Sequence, residues 1–212
     1  MAIDLRCFTY VNVLQPQTAS FLGTVSQGYH PLEGDAALFI EVSPGMDINL
    51  VTDIALKNTD VKPGLMVVER VFGALELHHK DQGQIHTAGE TILEQLGVKI
   101  ADRIKPQIIS EQIIHGTEGY QAQLVNRMRH GNFLLENTTL YVLEVYPAGY
   151  ALIATNEAEK AADIDVLEFM SIGAFGRVYL GGNESQIEEA AKAIRLALSE
   201  IDGREEKKKE DK

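Results

Sequence analysis

The feature that most constrains this chain of 212 residues is an internal repeat. When the sequence is shifted by 103 residues against itself, matching residues recur in the same order along both halves. Glu41-Val42 falls on Glu144-Val145, and Phe72-Gly73 falls on Phe175-Gly176. Past these pairs the register slips by one residue in a loop, and the apolar positions of a last helix then align again. Nothing repeats a third time, so the pattern predicts a tandem pair of one small domain and excludes a solenoid.

Each half predicts the same series of elements, because stretches rich in β-branched residues alternate with apolar residues at helical spacing. A proline, Pro44 or Pro147, is expected in the first turn of the second helix of each half, where it loses no hydrogen bond. The closing helices are expected to end at Gly97 and Gly203. In the first half the expected elements are a strand at Arg6–Leu14, a helical or turn segment at Gln17–Ser26, a strand at Ala36–Val42, a helix, strands at Leu65–Arg70 and Phe72–Leu77, and a closing helix.

This mixture of strands and helices predicts an α+β fold, with an open sheet in each half and helices packed against one of its faces. The predicted domains are residues 1–103 and 104–206. The end of the chain from Gly203 onward has no apolar residue and is expected to be a charged tail, with residues 207–212 disordered.

Composition excludes several classes of function. The formal net charge is −12, and such a surface repels nucleic acid phosphates and anionic lipid, so neither is an expected partner. Cys7 is the single cysteine, which excludes an intrachain disulfide framework and fits a reducing cytoplasm. No apolar run approaches the 18 residues of a membrane span, and the segment that begins at Met1 lacks the apolar core of a secretory signal.

No set of residues predicts catalysis or a cofactor. Ser, His and Asp do not occur in an order that favours nucleophilic catalysis, and the glycines near Gly173 lack the spacing and the lysine of a phosphate-binding loop. His78 and His79, with Asp81 and His86 nearby, suggest a metal site at first. Adjacent residues on a strand point to opposite faces, so the first two cannot easily bind one ion, and a metal site is not expected.

Several segments together resemble one protein family. The stretch from Glu144 to Ala162, with the strand that follows, resembles the opening strand and helix of the bacterial microcompartment shell domain. About thirty residues precede this strand in each half, which resembles the circularly permuted form of that domain. The whole chain from about Leu5 to Gly203 is similar to the permuted tandem-domain shell proteins of carboxysomes and related compartments, the CcmP type. The segments that carry this likeness include Gly23–Gly28, Thr52–Lys57, Val67–Arg70, Tyr120–Leu124 and Asn156–Ala162.

The resemblance implies two fused shell domains with a ferredoxin-like open sheet, assembled as a homotrimer that imitates a hexamer and has a gated central pore. It also implies packing with other shell proteins, hexamers and pentamers, passage of small metabolites through the pore, and no catalysis. Two trimers can stack face to face in this family. By the same resemblance Glu69 and Arg70 line the pore, while Lys57 and Lys160 lie at the tile edge. The matching positions to the pore pair in the second half, Ile172-Gly173, are uncharged, so one charged ring is expected.

The residues alone leave alternatives open. An adjacent Glu-Arg pair is more often an ordinary surface ion pair, and a lysine in the last turn of a helix is favourable to the helix dipole in any case. The competing function is a soluble trimeric sensor that binds a small ligand in its intersubunit clefts and forms no shell. Electron microscopy of concentrated protein separates the two, because a shell protein forms sheets or stacked tiles and a sensor stays as discrete trimers.

Overall fold

A computed structural model describes residues 3–128 and 130–206 of the protein. Its first half contains β1 (Asp4–Val11), α1 (Pro16–Val25), β2 (Ala36–Ser43), α2 (Ile48–Asn58), β3 (Lys62–Glu69), β4 (Phe72–His79) and α3 (Gln82–Leu96). Its second half contains β5 (Gln107–Ile114), α4 (Gly119–Met128), β6 (Thr139–Tyr146), α5 (Tyr150–Ala161), β7 (Asp165–Met170), β8 (Gly176–Gly182) and α6 (Glu184–Ser199). Short 3₁₀ helices lie at Gly45–Asp47 and Ile100–Asp102.

The two halves have the same sheet topology, which confirms the predicted α+β repeat. The strand order is β1-β2-β4-β3 in one sheet and β5-β6-β8-β7 in the other, and all neighbouring strands are antiparallel. Even the irregularities repeat. A bulge in the first strand lies between Leu5 and Cys7 in one copy and between Ile108 and Ser110 in the other. The repeat therefore extends from the sequence to the backbone register.

The helix ends follow capping rules in some places and depart from the sequence prediction in others. Asp81 accepts a hydrogen bond from the backbone N–H of Gly83 at the start of α3, and Gly97 ends this helix with φ 66° as predicted. The prediction for Gly203 was wrong, since α6 ends at Ser199. The prediction that Pro44 and Pro147 lie in the first turn of their helices was also wrong, since α2 begins at Ile48 and α5 begins at Tyr150.

The two sheets differ in how they are covered. Every residue of β2 from Ala36 to Val42 is buried, whereas burial alternates along β6. One face of the first sheet packs on α2 and α3, and its other face, with Cys7 and Phe39, belongs to a core that includes Tyr150 and other residues of α5. The expected single layer of helices is therefore correct within each copy. In addition, the second copy covers the first sheet from behind, which leaves the matching face of the second sheet only partly buried.

The end of the chain returns to the segment between the two copies. Arg204 forms a parallel bridge with Ile104, and its guanidinium donates a hydrogen bond to the carboxylate of Asp4. The expectation of a free tail from Gly203 onward was therefore wrong within residues 203–206, because the backbone of Arg204 bonds to Arg103 and Lys105 and the carboxylate of Glu206 accepts a hydrogen bond from Tyr146. Residues 207–212, predicted to be disordered, lie outside the described part of the chain. The domain boundary between 103 and 104 falls before β5 and stays a prediction.

Candidate functional site

The turn between β3 and β4 projects a charged pair from the end of the first sheet. Glu69 pairs with Phe72 across the hairpin, and Arg70 and Val71 form the exposed turn. Arg70 Nε lies 3.9 Å from Glu69 Oε1, and 90% of the Arg70 side chain is accessible. An ion pair this long and this exposed to solvent is weak, so it does not fix either side chain in place. The guanidinium of Arg70 can therefore reach another carboxylate. The structure thus places both predicted pore residues together at one tip.

The same turn in the second copy has no charge. Ile172 and Gly173 occupy the positions of Glu69 and Arg70, and Gly173 has φ 119°. Arg70 has φ 52°, so an arginine occupies a left-handed conformation that glycine adopts freely and other residues adopt at a cost of about 1 kcal/mol. The two tips therefore share a backbone that bends with positive φ but present different chemistry.

The two predicted edge lysines lie at equivalent ends of α2 and α5. Lys57 Nζ is 2.8 Å from a carboxylate oxygen of Asp53, and Lys160 Nζ is 3.2 Å from one of Glu157. Both ammonium groups are largely accessible, and their partners lie on the same helix. Nothing in the described chain uses these lysines for contacts between elements, so both remain available to a neighbouring molecule.

The histidines near the end of β4 lie apart, as the alternation of strand residues predicts. His78 is buried against Glu76, His79 is on the opposite face, and His86 packs its ring on Tyr10 with the ring centres 4.5 Å apart. Among residues 3–128 and 130–206, no group of three or more His, Cys, Asp or Glu side chains is arranged to hold a metal ion. The same part of the chain contains no helix that is long and apolar enough to cross a bilayer.

The structure shows a second candidate surface, which the sequence did not predict. It lies where α1 of the first copy packs on the second copy. The backbone N–H groups of Gln17 and Thr18, at the start of α1, donate hydrogen bonds of 2.7 and 2.8 Å to the carboxylate of Glu159. Further along the helix, Phe21 packs on Phe169 with the ring centres 4.8 Å apart. We call this contact between α1 and the α5–β7 surface the internal joint.

The corresponding surfaces at the other two ends of the repeat have no partner in the described chain. α4, the counterpart of α1, exposes Tyr120 by 75% and Leu124 by 62%. On the first copy, α2, the 3₁₀ helix before it and β3 are the counterparts of the α5–β7 surface, and they expose Met46, Leu56 and Met66. A cavity of about 270 Å³ lies beside Met66, which is the counterpart of Phe169, the residue that Phe21 contacts at the internal joint. We call these two unpartnered faces, on α4 and on the surface from Met46 through α2 to β3, the open joint surfaces.

Comparison with known proteins is consistent with this architecture and decides the family. A family model described as the CsoS1D N-terminal domain matches residues 5–102. The carboxysome shell protein CcmP of Synechococcus elongatus is 49% identical over 205 residues, which is 97% of this chain and 96% of the relative. The chain belongs to the CcmP and CsoS1D family of carboxysome shell proteins. Its role is therefore structural, as a component of a bacterial microcompartment shell.

Other members of the shell protein family support the same assignment. The carboxysome shell protein CsoS1D of Prochlorococcus marinus is 44% identical over 200 residues, which is 94% of this chain and 78% of that relative. A solved fused permuted hexameric shell protein from the RMM microcompartment superposes with a TM-score of 0.92 at 46% identity, and covers 95% of this shell protein and 100% of itself. A double-ringed trimeric shell protein from the same compartment gives a TM-score of 0.92 at 37% identity, with 96% and 100% covered.

Proposed function

We propose that three copies of this shell protein form a closed ring of six lobes, a tile of the shell with a pore at its centre. The solved relatives that it matches are described as a fused permuted hexamer and as a double-ringed trimer, which supports this assembly. In such a ring the lobes alternate between first and second copies. Each chain then supplies one internal joint, and each junction between chains must supply a contact of the same kind.

The observation that carries the proposal is that, when the two copies are matched through the repeat, the open joint surfaces differ from the internal joint in complementary ways. Beside the internal joint, Gly149 approaches Phe39 of β2 so closely that an added Cβ would lie 2.6 Å from the ring. At the matching positions, Met46 of the open joint surfaces takes the place of the glycine and Val142 of β6 takes the place of the phenylalanine. A small residue against a large one thus becomes a large residue against a smaller one, so the contact keeps one side chain that projects and one that gives it room.

The polarity of the joint changes on both sides in the same way. At the internal joint Glu159 accepts a hydrogen bond from the backbone N–H of Gln17, and the residues that match Gln17 and Glu159 are Tyr120 and Leu56. Two polar side chains are therefore replaced by side chains with large apolar surfaces, and both are exposed in a single chain. Burying such side chains against each other contributes about 25 cal/mol for each Å² of apolar surface removed from water.

The aromatic contact of the internal joint also has an apolar counterpart. Phe21 and Phe169 correspond to Leu124 and Met66, which are 62% and 45% exposed. A ring of alternating lobes places Leu124 of one chain against the cavity beside Met66 of the next. Because the contact joins two different faces, it is heterologous, and it forms a closed ring only when the rotation between lobes returns to its start.

At the centre of such a ring, Glu69 and Arg70 form the gate of the pore. A three-fold axis brings three copies of each residue together, and three carboxylates alone would repel one another. Guanidinium groups from neighbouring chains neutralise them in a closed pore by charge-assisted hydrogen bonds. When Arg70 swings outward, a wider opening with a different rim charge forms, and pore width and rim charge select solutes. The second-copy tip, with Ile172 and Gly173, adds no charge to this ring.

The rest of the proposal concerns what the tile does in the shell. Lys57 and Lys160 at the tile edge contact neighbouring tiles, and small metabolites pass through the pore without any catalytic step. Two rings stack face to face, as the double ring described for one solved relative suggests. Other shell proteins, hexamers and pentamers, complete the shell around these tiles.

If the open joint surfaces form the contact between chains, Leu124→Asp should separate the chains. A carboxylate in an apolar contact loses its hydration without gaining a partner, so the ring should dissociate while each chain stays folded. Light scattering coupled to size exclusion should give three times the 23.4 kDa chain mass for a single wild-type ring, six times that mass for a stacked pair of rings, and one chain mass for the variant. Leu196→Asp, an exposed leucine on α6, is the matched control and should stay trimeric. A trimeric Leu124→Asp protein contradicts the joint, and a monomeric wild type contradicts the ring.

The gate predicts that Glu69→Ala and Arg70→Ala leave the ring intact and shift the balance between open and closed pores. Without Arg70 the three carboxylates repel and the open form should gain population; without Glu69 the guanidinium groups lose their partners in the closed form. Classification of particles in cryo-electron microscopy measures the two populations. Ile172→Ala, at the uncharged tip of the second copy, should leave them unchanged. If both charged-tip variants keep the wild-type populations, these residues do not gate the pore.

A further inference from the structure

Arg6 occupies the bulge of β1 and lies between the two copies. Leu5 pairs with Val42 and Cys7 pairs with Glu41 on β2, so Arg6 is the extra residue of the bulge. A bulge turns a side chain out of the regular alternation of its strand. Here it places the Arg6 Nε 2.5 Å from the buried carboxylate of Glu41, with only 13% of the arginine side chain accessible. Because an unpaired charge in this position would be costly, the ion pair holds the guanidinium in place.

The guanidinium of Arg6 lies between two aromatic rings, one from each copy. Its central carbon is 4.7 Å from the ring centre of Phe72 and 5.4 Å from that of Tyr146, and it donates a hydrogen bond of 3.0 Å to the Tyr146 hydroxyl. The Tyr146 ring in turn meets the ring of Phe175 at a steep angle, with the ring centres 6.2 Å apart. We call these four side chains, Phe72, Arg6, Tyr146 and Phe175, the aromatic row.

The aromatic row ends at the bases of the two hairpin tips. Phe72 pairs with Glu69 across the first tip, and Phe175 directly precedes β8 at the base of the second. The two phenylalanines are counterparts in the repeat. Chains of packed side chains carry energetic coupling between separate sites, so a displacement of one hairpin base is felt at the other.

The chain end holds the middle of the aromatic row. The Tyr146 hydroxyl accepts the hydrogen bond from Arg6 and donates one to the carboxylate of Glu206. Burial raises the pKa of Tyr146 to about 12, so the hydroxyl keeps the proton that it donates. The tyrosine is thus fixed by the guanidinium on one side and by the returning chain end on the other.

The fold itself does not require the aromatic row, because the repeat builds the same bulge without it. In β5 the bulge lies between Ile108 and Ser110, and its extra residue is Ile109. The counterpart of Tyr146 is Ser43. In a ring of alternating lobes, Ile109 of one chain and Ser43 of the next therefore stand where Arg6 and Tyr146 stand within a chain. The row joins the tips of one chain and has no equivalent between chains.

We propose that Arg6, through the aromatic row, couples the two hairpin tips of each chain, so that they move as one unit. The role of this coupling in a pore rests on the proposed ring and gate, in which three paired units then move in place of six separate tips. Arg6 acts through Phe72 and is a positioning residue. The coupling also gives the uncharged tip at Ile172-Gly173 a part in the gate, because a movement at Arg70 displaces it.

Amide hydrogen exchange of the full chain tests the coupling by loosening one tip and observing the other. Val71→Gly loosens the charged tip through its backbone, whether or not charge gates the pore. We expect exchange to rise in residues 69–72 and also, by at least about threefold, in residues 171–175. In a Tyr146→Ser background, which places the residue of the first copy at this position, the rise should be confined to residues 69–72.

Conservative variants separate coupling from a general loss of stability. Arg6→Lys keeps a cation beside Glu41 but loses the planar group between the rings, so it should abolish the rise in residues 171–175. Tyr146→Phe keeps the ring and should retain the rise. Tyr29→Ser is the matched control and should also retain it, since it removes a tyrosine whose ring faces another cation, Lys62, at the far end of β3.

The outcomes distinguish this proposal from that of the gate. A rise confined to residues 69–72 in the wild-type background overturns the coupling and leaves the gate untouched. An equal rise in residues 171–175 in the wild-type, Tyr146→Ser and Arg6→Lys backgrounds also overturns it, because the signal then travels by another path. Unchanged pore populations in Arg70→Ala, together with transmitted exchange, support the coupling and contradict the gate.

Discussion

At the scale of single residues, the buried carboxyl groups of the first copy determine how this protein responds to pH. Glu41 and Glu76 are both inaccessible to solvent, and burial raises the pKa of each. Glu41 has a full charge partner, since Arg6 Nε lies 2.5 Å from its Oε1. Glu76 has only an imidazole and the backbone N–H of Gly64. Of the two, Glu76 therefore has the weaker compensation for its lost hydration.

Glu76→Gln should remove a dependence of stability on pH. With its pKa raised above the ordinary 4.5, Glu76 holds a proton in the folded chain at pH values where the unfolded chain has lost it. Stability from this group is present below pH 4.5 and is lost as the pH rises through the folded pKa. Relative to the variant, the wild type should lose about 1.4 kcal/mol for each pH unit within that window.

Urea unfolding of both proteins between pH 4.5 and 7.5 measures this difference. Glu188→Gln, which changes an exposed carboxylate on α6, should run parallel to the wild type over the whole range. A wild type and Glu76→Gln protein with parallel curves would show that the buried carboxyl does not titrate in the folded state.

The sequence could not predict these two residues, because acidic side chains are rarely buried and a lone glutamate in a strand resembles a solvated one. By contrast, the family resemblance predicts Glu69 and Arg70 as pore residues, and the structure places them at one hairpin tip. Arg70 gives a signal that the sequence could have supplied. Its repeat partner is Gly173, and a glycine at the matching position suggests a backbone with positive φ.

At the scale of elements, α1 depends on the second copy for its N-terminal cap. Gln15 precedes the helix without a capping hydrogen bond from its side chain, and Pro16 has no N–H to satisfy. The next two N–H groups and the hydroxyl of Thr18 all donate to Glu159. A carboxylate at the positive end of a helix is doubly favourable, through hydrogen bonds and through the helix dipole.

Glu159→Ala should therefore destabilise the whole protein by about 2 kcal/mol, since charged hydrogen bonds at a helix start are lost and the donors stay partly buried. Thermal unfolding of the purified variant measures the loss. Glu157→Ala removes a carboxylate from the same helix whose main partner is the exposed Lys160, and it should change stability by less than about 0.5 kcal/mol. Equal losses in the two variants would show that the cap on α1 contributes nothing.

The existence and order of these elements could be predicted from the repeat, but their caps could not. Apolar spacing placed α3 and β2 within a few residues of their observed bounds. Hydrogen bonds such as those to Glu159 join residues more than a hundred positions apart, and no local pattern indicates them. The helix starts at Pro44 and Pro147 were predicted about one turn too early, because a proline pattern alone does not distinguish a helix start from the turn before it.

At the scale of the whole molecule, the repeat predicted two lobes of one fold and missed that they differ in their surroundings. An alignment treats both copies as equal, yet the first sheet is covered on both faces and the second is not. The difference lies in positions where the repeat is broken, such as Gly149 against Met46. An alignment of the two copies gives no weight to positions where their residues differ. These positions nevertheless distinguish the internal joint from the contact proposed between chains.

The charge of the whole molecule makes the two edge lysines important for the proposed shell. Each chain carries a net charge of −12, so two identical tiles repel each other as they approach edge to edge. Lys57 and Lys160 are exposed cations at matching positions of both lobes, and their present partners are weak local ones. In a ring of six lobes they would recur at every edge, where each could meet an acidic neighbour.

The double variant Lys57→Ala, Lys160→Ala should therefore form fewer and smaller sheets, while its trimer and its thermal stability stay as in the wild type. The exposed ion pairs that it removes are worth only about 0.5 kcal/mol each, so folding is not affected. Negative-stain microscopy of concentrated protein measures sheet formation, and added salt should narrow the difference because it screens the repulsion between tiles. The double variant Lys80→Ala, Lys192→Ala removes two other exposed lysines and so controls for the same change in net charge. Sheets that form equally in the double variant would remove both lysines from the edge, and equal loss in the control would assign the effect to net charge.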